Sequence, residues 1–308
     1  MFKNQDYIKK VKELKEKRNA IILSHYYTRN EIQNLSDFVG DSLALSQQAK
    51  NTNADIILFC GVHFMAETAK ILNHKKIVLL PDITSGCSLA DLSNVNDIKH
   101  WKGSFKNPFL ISYINCSTEL KAISDVICTS SNAEKIVNSI QKDKTILFAT
   151  DNNLGRYLNK KLNIKMEIWK DYCYVHNNFS EKHLKDTITS YPNSDIIAHP
   201  ECSENILQYA DFIGSTTGII NYIKNSNKNE FIVLTEPGIK YKLEKTSPNK
   251  KFIFIKNNYG SLNLCTQMKK NTIENVIYSL ETLTTEINIE ENLRLKALKP
   301  LELMLKLS

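Results

Sequence analysis

Three kinds of segment recur in the same order along this chain, and this repetition constrains the fold more than any other feature of the sequence. The first kind is an apolar strand that ends in polar or aromatic residues, at 20–27, 108–115 and 194–201. The second begins with a small residue and Asp, continues as an apolar run and opens a helix, at 54–72, 124–137 and 210–223. The third is a strand that ends in an acid, at 76–82, 145–151 and 231–238. Three matched blocks in one order predict three similar units.

The spacing of matched residues supports a regular repeat with one irregularity. Tyr113 lies 86 residues before His199, whereas Asp55 lies only 70 residues before Asp125. This difference predicts an additional segment at 30–50, between the first two blocks of the first unit. Each unit is expected to read strand, helix, strand, helix, strand, because continuous apolar strands alternate with helical stretches.

These patterns predict an α/β protein with three similar small domains. Each domain is expected to contain a parallel sheet, and the three to surround a pseudo-threefold axis with the active site at their central junction. We expect the first domain, with an N-terminal helix, at 1–107, the second at 108–192, and the third, with C-terminal helices, at 193–308. Ligands of α/β units bind beyond the carboxyl ends of the strands. The cavity would therefore collect the strand ends at 25–27, 113–115 and 199–201 and the helix openings at 40–42, 129–132 and 214–218.

Amphipathic patterns flank the repeats. Residues 5–17 place Ile8, Val11 and Leu14 on one helical face. The C-terminal region also carries apolar residues at helical spacing: Ile273, Val276, Ile277, Leu280, Leu283 and Ile287. We interpret both as helices that pack against the core.

The composition excludes several classes of protein. Of 308 residues, 42% are hydrophobic and 24% charged, and no apolar run approaches the roughly 18 residues of a membrane span. The N-terminus lacks an apolar segment followed by a cleavage site, so we expect a cytoplasmic protein without a membrane partner. The net charge of +7 comes from basic residues spread along the chain. A nucleic-acid partner is therefore not expected, and an anionic small substrate fits the sign equally well.

Three of the seven cysteines follow the repeat. Cys87, Cys173 and Cys265 come after the third strand of each unit and before the next helix, at separations of 86 and 92 residues. Three thiols at equivalent places around one axis would converge, each near a helix N-terminus. Thiolate ligation favours an iron–sulfur cluster or zinc, and three ligands leave a fourth position where a substrate oxygen can be polarised. The remaining four are interpreted as small buried hydrophobes: Cys60, Cys116, Cys128 and Cys202.

A dozen short motifs in collinear order resemble the quinolinate synthase family. They run from HYY (25–27) to CTQMKKNT (265–272) and include GDSLALS (40–46), GCSLAD (86–91), SDVICTSSNA (124–133), YCYVH (172–176), HPEC (199–202) and TEPG (235–238). Two positions depart from the family pattern: Ile114 stands where Val is usual, and Asp171 where Gly is common. Neither is an expected ligand.

The resemblance implies a cofactor and a reaction. The family has three α/β domains around a pseudo-threefold axis and a [4Fe-4S] cluster held by cysteines whose motifs match Cys87, Cys173 and Cys265, with the fourth iron open to substrate. It condenses iminoaspartate with dihydroxyacetone phosphate to quinolinate, releasing phosphate and two waters, in the de novo biosynthesis of NAD. The expected partners are these two substrates and, transiently, L-aspartate oxidase.

The resemblance also assigns roles to residues. Glu201 is expected to act as the base, with Tyr27 as the phenol beside it and His199 as a third catalytic group. His176 is expected to line the cavity rather than ligate iron. The residues expected to bind substrate are His25, Ser42, Tyr113, Asn115, Ser130, His176, His199, Glu201, Ser215 and Thr216. Hydroxyls at helix openings suit anions because backbone N–H groups point there, although such residues are also ordinary N-caps.

Two other functions remain open at this point. The same fold could hold Zn²⁺ in place of the cluster and act as a metal-assisted lyase or hydrolase. Alternatively, the protein could be a sugar-phosphate-binding regulator whose cysteines sense redox state. Glu201 and Tyr27 at strand ends argue against the regulator, because binding an anion requires no additional acid there.

Overall fold

The computed structural model describes the backbone of residues 2–308 and the side chains from residue 6 onward. The chain divides into two compact units, which are not the three repeat units of the sequence and are called the first and second unit from here on. The first comprises Met1–Asp91, Ile114–Ile127 and Thr266–Lys306, and the second comprises Leu92–Tyr113, Cys128–Cys265 and Leu307–Ser308. The domain limits expected from the sequence, at 107/108 and 192/193, stay a prediction.

The strands form three four-stranded parallel sheets, which confirms the predicted α/β fold with three similar sheets. The orders are β2-β1-β3-β4, β6-β5-β7-β8 and β10-β9-β11-β12, so the same arrangement occurs three times. The strands are β1 (Ala20–His25), β2 (Phe38–Gly40), β3 (Ile56–Cys60), β4 (Ile77–Leu79), β5 (Pro108–Tyr113), β6 (Val126–Cys128), β7 (Thr145–Ala149), β8 (Glu167–Ile168), β9 (Asp195–Ala198), β10 (Phe212–Ile213), β11 (Glu230–Leu234) and β12 (Lys251–Ile253).

Helices connect the strands and continue beyond them. They are α1 (Phe2–Lys17), α2 (Asn30–Leu35), α3 (Ser42–Asn51), α4 (His63–Leu72), α5 (Ser88–Leu92), α6 (Val95–Gly103), α7 (Thr118–Ile123), α8 (Ala133–Asn138), α9 (Asn152–Leu162), α10 (Tyr174–Asn177), α11 (Glu181–Ser190), α12 (Glu204–Leu207), α13 (Thr216–Asn225), α14 (Lys240–Thr246), α15 (Ile273–Thr282) and α16 (Glu291–Leu307). Short 3-10 helices lie at Pro237–Ile239 and Met268–Lys270. Among the described residues, none of these helices combines the length and apolar character that a membrane span requires.

The structure corrects the matching of blocks in the first repeat. The second strand there is β2, which follows Asp37, and not the strand that follows Asp55. Asp37 exchanges two hydrogen bonds with the backbone of Ile22, at 2.8 and 2.9 Å, and Asp211 exchanges the same pair with Ile196, both at 2.8 Å. With this assignment Asp37 lies 88 residues before Asp125. The expected additional segment at 30–50 is therefore α2, β2 and α3, an ordinary part of the repeat.

Each repeat also contains one strand more than expected. The segment after Asp55 is the third strand of the first sheet, and the strand at 76–82 is the fourth. The fourth strands of the other sheets are only two or three residues long, too short to show a periodic pattern. Cys87, Cys173 and Cys265 consequently follow the fourth strand of each sheet and not the third. The helices after Cys87 and Cys173 have five and four residues.

The flanking helices pack as expected in the first unit. Val11 is buried, Leu14 is partly buried, and both pack in one apolar cluster with the α15 residues Val276 and Leu280. The prediction that the helix continues to Ile287 is wrong. α15 stops at Thr282, and Leu283 adopts a left-handed backbone (φ 59°). Ile287 is nevertheless buried, since it lies beside β4 and its N–H donates to Val78 O at 2.8 Å.

Candidate active site

In each sheet, equivalent residues follow the last residue of β1, β5 or β9 that pairs with β3, β7 or β11. The last pairs of those registers are Ser24 with Cys60, Ser112 with Ala149, and Ala198 with Leu234. The next residues along the chain are His25, Tyr113 and His199, and two positions further are Tyr27, Asn115 and Glu201. The expected substrate-binding and catalytic residues thus occupy matched positions, because the same strand geometry is used three times.

The two strand-end histidines have the same backbone contact. The N–H of Tyr27 donates to His25 Nδ1 at 3.2 Å, and the N–H of Glu201 donates to His199 Nδ1 at 3.4 Å. A ring nitrogen that accepts an N–H carries no proton itself, so the neutral ring has its proton on Nε2. Nε2 of His199 lies 3.3 Å from Ser130 Oγ. Both histidines are therefore oriented as Nε2–H donors.

In the second unit, Glu201 is buried between two side chains that donate hydrogen bonds. The Tyr113 hydroxyl donates to Oε1 at 2.5 Å, and His176 Nδ1 lies 2.8 Å from Oε2. His176 Nε2 is 2.9 Å from Thr235 Oγ1, and its ring stacks on that of His199 with centroids 4.6 Å apart. Glu201 is thus held at both oxygens.

This environment sets the protonation of the carboxylate and the phenol. Burial favours a higher pKa for Glu201, but the imidazoles of His176 and His199, with hydrogen bonds from His176 and Tyr113, hold that pKa below its ordinary value. Burial first, and then the charge and hydrogen bond of Glu201, raise the pKa of Tyr113. At neutral pH the pair is a carboxylate and a protonated phenol.

The phenol that contacts Glu201 is Tyr113, which the resemblance assigned to substrate binding. Tyr27, the phenol expected beside Glu201, lies in the first unit, where its ring packs edge-on against His25 with centroids 4.5 Å apart. The Tyr27 carbonyl accepts a hydrogen bond from Lys269 Nζ at 2.5 Å. The catalytic role of Tyr27 stays a prediction.

The helix-opening residues differ in what they do locally. Ser215 caps α13, since its Oγ accepts the Gly218 N–H at 3.1 Å, and Thr216 is buried as the first residue of that helix. The cap of α3 is Asp41 rather than Ser42, because the Asp41 side chain accepts the Ala44 N–H. Ser42 is therefore not required as a cap.

Burial divides the seven cysteines into the two groups expected from the sequence. Cys87, Cys173 and Cys265 are partly exposed, whereas Cys60, Cys116, Cys128 and Cys202 are buried. Burial raises the pKa of Cys116 to about 11, and it also raises the pKa of Cys60 and Cys202. These three buried thiols are therefore poor metal ligands, because the ligand is the thiolate.

A carboxylate binds the backbone N–H of each partly exposed cysteine. Asp91 Oδ2 accepts from Cys87 at 2.7 Å, Asp151 Oδ2 from Cys173 at 2.9 Å, and Glu236 Oε1 from Cys265 at 3.1 Å. In the second unit, the hydroxyl of Tyr174, the residue after Cys173, lies 4.0 Å from Cys265 Sγ.

Cys173, His176 and Glu201 bring three possible metal donors within 4.8 Å of one another. Cys173 Sγ and Glu201 Oε2 both approach His176 Nδ1, at 3.4 and 2.8 Å. Two tetrahedral ligands of one zinc ion would be roughly 3.3 Å apart, given metal–ligand distances near 2.05 Å. At 2.8 Å, His176 and Glu201 are placed as a hydrogen-bonded pair.

Comparison with known proteins decides the family. The family described as Quinolinate synthetase A protein matches residues 9–306. The quinolinate synthases of Microcystis aeruginosa and of a Synechocystis strain are each 49% identical to this chain, over 304 and 305 residues. These alignments cover 98% and 99% of this chain and 95% and 96% of the relatives. The quinolinate synthase of Cyanophora paradoxa is 48% identical over 302 residues, or 98% of this chain and 92% of its own. This chain belongs to the quinolinate synthase family.

Cys87, Cys173 and Cys265 are each a donor of the type that an iron–sulfur group requires. These three cysteines are partly exposed, follow equivalent strands, and each donates its backbone N–H to a carboxylate. The other four cysteines are buried. Iron–sulfur clusters are held by thiolates and require no imidazole or carboxylate ligand. The pairing of His176 with Glu201 leaves the cysteines as the matching donors.

Several residues that contact the predicted site residues were not found by sequence reasoning. Thr235, Asp151, Glu236 and Asp91 contact His176 or the cysteine loops. Asp151 and Glu236 were visible only as acids at strand ends. Their partners lie 22 and 29 residues away in sequence, so no local spacing reveals them.

Proposed function

We propose that this protein condenses iminoaspartate with dihydroxyacetone phosphate to quinolinate, releasing phosphate and two waters, as a transferase of de novo NAD biosynthesis. The observation that carries the proposal is the buried Glu201 carboxylate between the Tyr113 phenol and the His176 imidazole, in a member of the quinolinate synthase family. Ring closure requires proton removal and dehydration, so it needs a carboxylate and proton donors side by side. The conversion balances without an external oxidant or reductant.

In this proposal Cys87, Cys173 and Cys265 hold a [4Fe-4S] cluster. When bound, the cluster supplies a Lewis acid whose fourth iron has no protein ligand and can polarise a substrate oxygen. The absence of net redox change supports this role over electron transfer. The three sheets would surround a pseudo-threefold axis, with the strand ends facing a common cavity.

Different side chains would accept and donate protons in this reaction. Glu201 is ionised at neutral pH and therefore able to accept a substrate proton, while Tyr113 keeps its proton and donates. His199 would present Nε2–H to a substrate oxygen, and Tyr27 would act as a second phenol. His176 orients Glu201, because it binds Oε2 at 2.8 Å while Thr235 binds its other nitrogen.

The remaining residues would bind the carboxylates and the phosphate. Those proposed to do so are His25, Ser42, Asn115, Ser130, Ser215 and Thr216. Hydroxyl and amide groups suit these anions because they donate hydrogen bonds without adding charge. We also propose that the protein is cytoplasmic and contacts L-aspartate oxidase transiently.

The test is anaerobic purification followed by iron and sulfide quantification and an assay on both substrates. About four iron and four sulfide per chain, with quinolinate formed only when both substrates are present, is the expected result. A colourless protein that binds one zinc per chain and forms no quinolinate would support the zinc-dependent alternative. A protein that binds triose phosphate but forms no product would support the regulator.

A further inference from the structure

Asp151 joins a strand end, a helix start and a cysteine loop in the second unit. The residue is fully buried two positions after β7. Its Oδ1 accepts the Leu154 N–H at 2.8 Å as the N-cap of α9, and its Oδ2 accepts the Cys173 N–H at 2.9 Å. Burial, and then the charge of Glu201, raise the pKa of Asp151, and the N–H groups of Leu154 and Cys173 oppose that rise. One carboxylate therefore fixes the backbone of Cys173 to the sheet.

Glu236 has the same arrangement at the matched position of the third sheet. It is fully buried two positions after β11. Its Oε2 accepts the Gly238 N–H at 2.5 Å and its Oε1 accepts the Cys265 N–H at 3.1 Å. One oxygen again caps a helical turn, and the other binds a cysteine.

The first sheet reaches the same contact by another route. Two positions after β3 stands Val62, which has no carboxylate. Here Asp91, in α5, accepts the Cys87 N–H through Oδ2 at 2.7 Å, and its own N–H donates to Cys87 O at 2.8 Å. Gly86 allows this, because a Cβ at that position would overlap Asp91 Oδ2. Asp151 and Glu236 follow the third strand of their sheets and cap the next helical turn, whereas Asp91 lies within α5. The need for an N-cap at a strand end therefore does not explain why all three cysteine N–H groups bind a carboxylate.

We infer that Asp91, Asp151 and Glu236 are positioning residues that fix the backbones of the three cluster-binding cysteines before the cluster is bound. The inference rests on the proposed function for the identity of the bound group, and on the hydrogen bonds alone for the positioning. A hydrogen bond from the cysteine backbone N–H to a side-chain carboxyl oxygen restrains the loop at the cysteine itself. The thiols are then pre-oriented, so less conformational freedom is lost on binding.

The first experiment measures each cysteine separately in the full-length protein without metal. The variants are Asp151→Asn and Glu236→Gln, in which an N–H₂ donor replaces one of two occupied acceptor oxygens at nearly constant volume. The third variant is Asp91→Ala, because an asparagine could still offer its oxygen to the Cys87 N–H. Alkylation by iodoacetamide is followed by peptide mass spectrometry over time. In each variant, the cysteine whose N–H bound the replaced side chain should be alkylated at least threefold faster than in the original protein. The other two partly exposed cysteines should be alkylated within twofold of the original rate.

The control is Asp82→Asn. The Asp82 carboxylate binds the N–H and hydroxyl of Thr84 and no cysteine amide. This variant should leave the labelling of Cys87 unchanged. Asp91 is exposed, so Asp91→Ala tests the inference even if a variant at a buried acid does not fold. Equal acceleration at all three cysteines, or none at the matched cysteine, would overturn the inference.

The second experiment uses the cluster-loaded protein under anaerobic conditions. A ferrous chelator should remove iron at least threefold faster from the three variants than from the original protein or Asp82→Asn. Equal release rates would overturn the inference even if the protein proves to be an iron–sulfur enzyme. If the protein binds no cluster but each variant still labels selectively, the positioning holds and the proposed function fails.

Discussion

Glu201 Oε2 and His176 Nδ1 lie 2.8 Å apart, and the Cys173 thiol lies 3.4 Å from the same nitrogen. His176 therefore connects the carboxylate proposed for proton transfer to a cysteine proposed for the cluster. Its far nitrogen is held by Thr235 at 2.9 Å, so the imidazole cannot turn without losing a buried hydrogen bond. The chain Thr235, His176, Glu201, Tyr113 is one connected network.

Glu201→Gln should lower turnover by about 10²-fold or more, the usual contribution of a positioned acid or base. The glutamine keeps the volume but places an N–H₂ group against Tyr113 or His176, both of which donate to the carboxylate. Iron and sulfide content should not change. Glu204→Gln is the matched control, since Glu204 is an exposed partner of Lys160. Turnover of the Glu201 variant near the original rate would move the proton-transfer role to another residue.

His176→Gln should retain the full iron and sulfide content while reducing turnover by about 10-fold or more, because Glu201 loses an orienting partner. Metal analysis and activity are measured on the same anaerobic preparation. If instead a metal ion were bound by Cys173, His176 and Glu201, His176 would be a ligand and the variant would lose the metal. Retained iron with unchanged turnover would contradict the orienting role.

Changing Cys87, Cys173 or Cys265 singly to Ala should abolish the visible iron–sulfur absorption and the activity, because two thiolates do not hold the cluster firmly. Matched Ala variants of the four buried cysteines should keep both and lose only about 1 kcal/mol of stability. Absorption spectra and thermal unfolding measure the two effects. A full-strength cluster in any of the first three variants would contradict the ligand assignment.

Quinolinate or phthalate should perturb the electronic spectrum of the bound cluster, because the proposal leaves one iron without a protein ligand. Phosphate should compete with the triose phosphate without the same spectral change. The measurement is an anaerobic spectroscopic titration, and Cys87→Ala serves as the variant without an intact cluster. Inhibition by quinolinate with no spectral change at saturation would show that the open-iron proposal is wrong.

Gly86→Ala should weaken retention of iron, since the new Cβ would displace Asp91 from the Cys87 N–H. The cost in folding free energy should be about 0.5–1.5 kcal/mol, the net contribution of one hydrogen bond, because the exposed Asp91 carboxylate can move away. Gly103→Ala is the control, because a Cβ at Gly103 has no heavy atom within 4 Å. Chelator release and thermal unfolding compare the two. Equal iron release from both variants would contradict the close-contact argument.

The sequence predicted much of this protein because its repeats are local patterns of strand and helix. The α/β class, the three similar sheets and the two flanking helices α1 and α15 follow from apolar periodicity, which burial imposes residue by residue. The separation of three partly exposed cysteines from four buried ones also followed from position in the repeat. Matched strand-end residues such as Tyr27 and Glu201 came from the same reasoning.

Tertiary structure decided which strand pairs with which. Asp37 and Asp55 both precede short apolar strands, and only hydrogen bonding shows that Asp37, through Ile22, matches Asp211. The contacts of Glu201 with Tyr113 and His176, and of Asp151 and Glu236 with cysteine amides, join residues 22 to 88 positions apart. Such partners are chosen by the folded geometry, because a carboxylate at a strand end can accept from any N–H that the loops bring to it. The repeat therefore determined where the chemical groups stand along the chain, and the packing of the loops determined which groups meet.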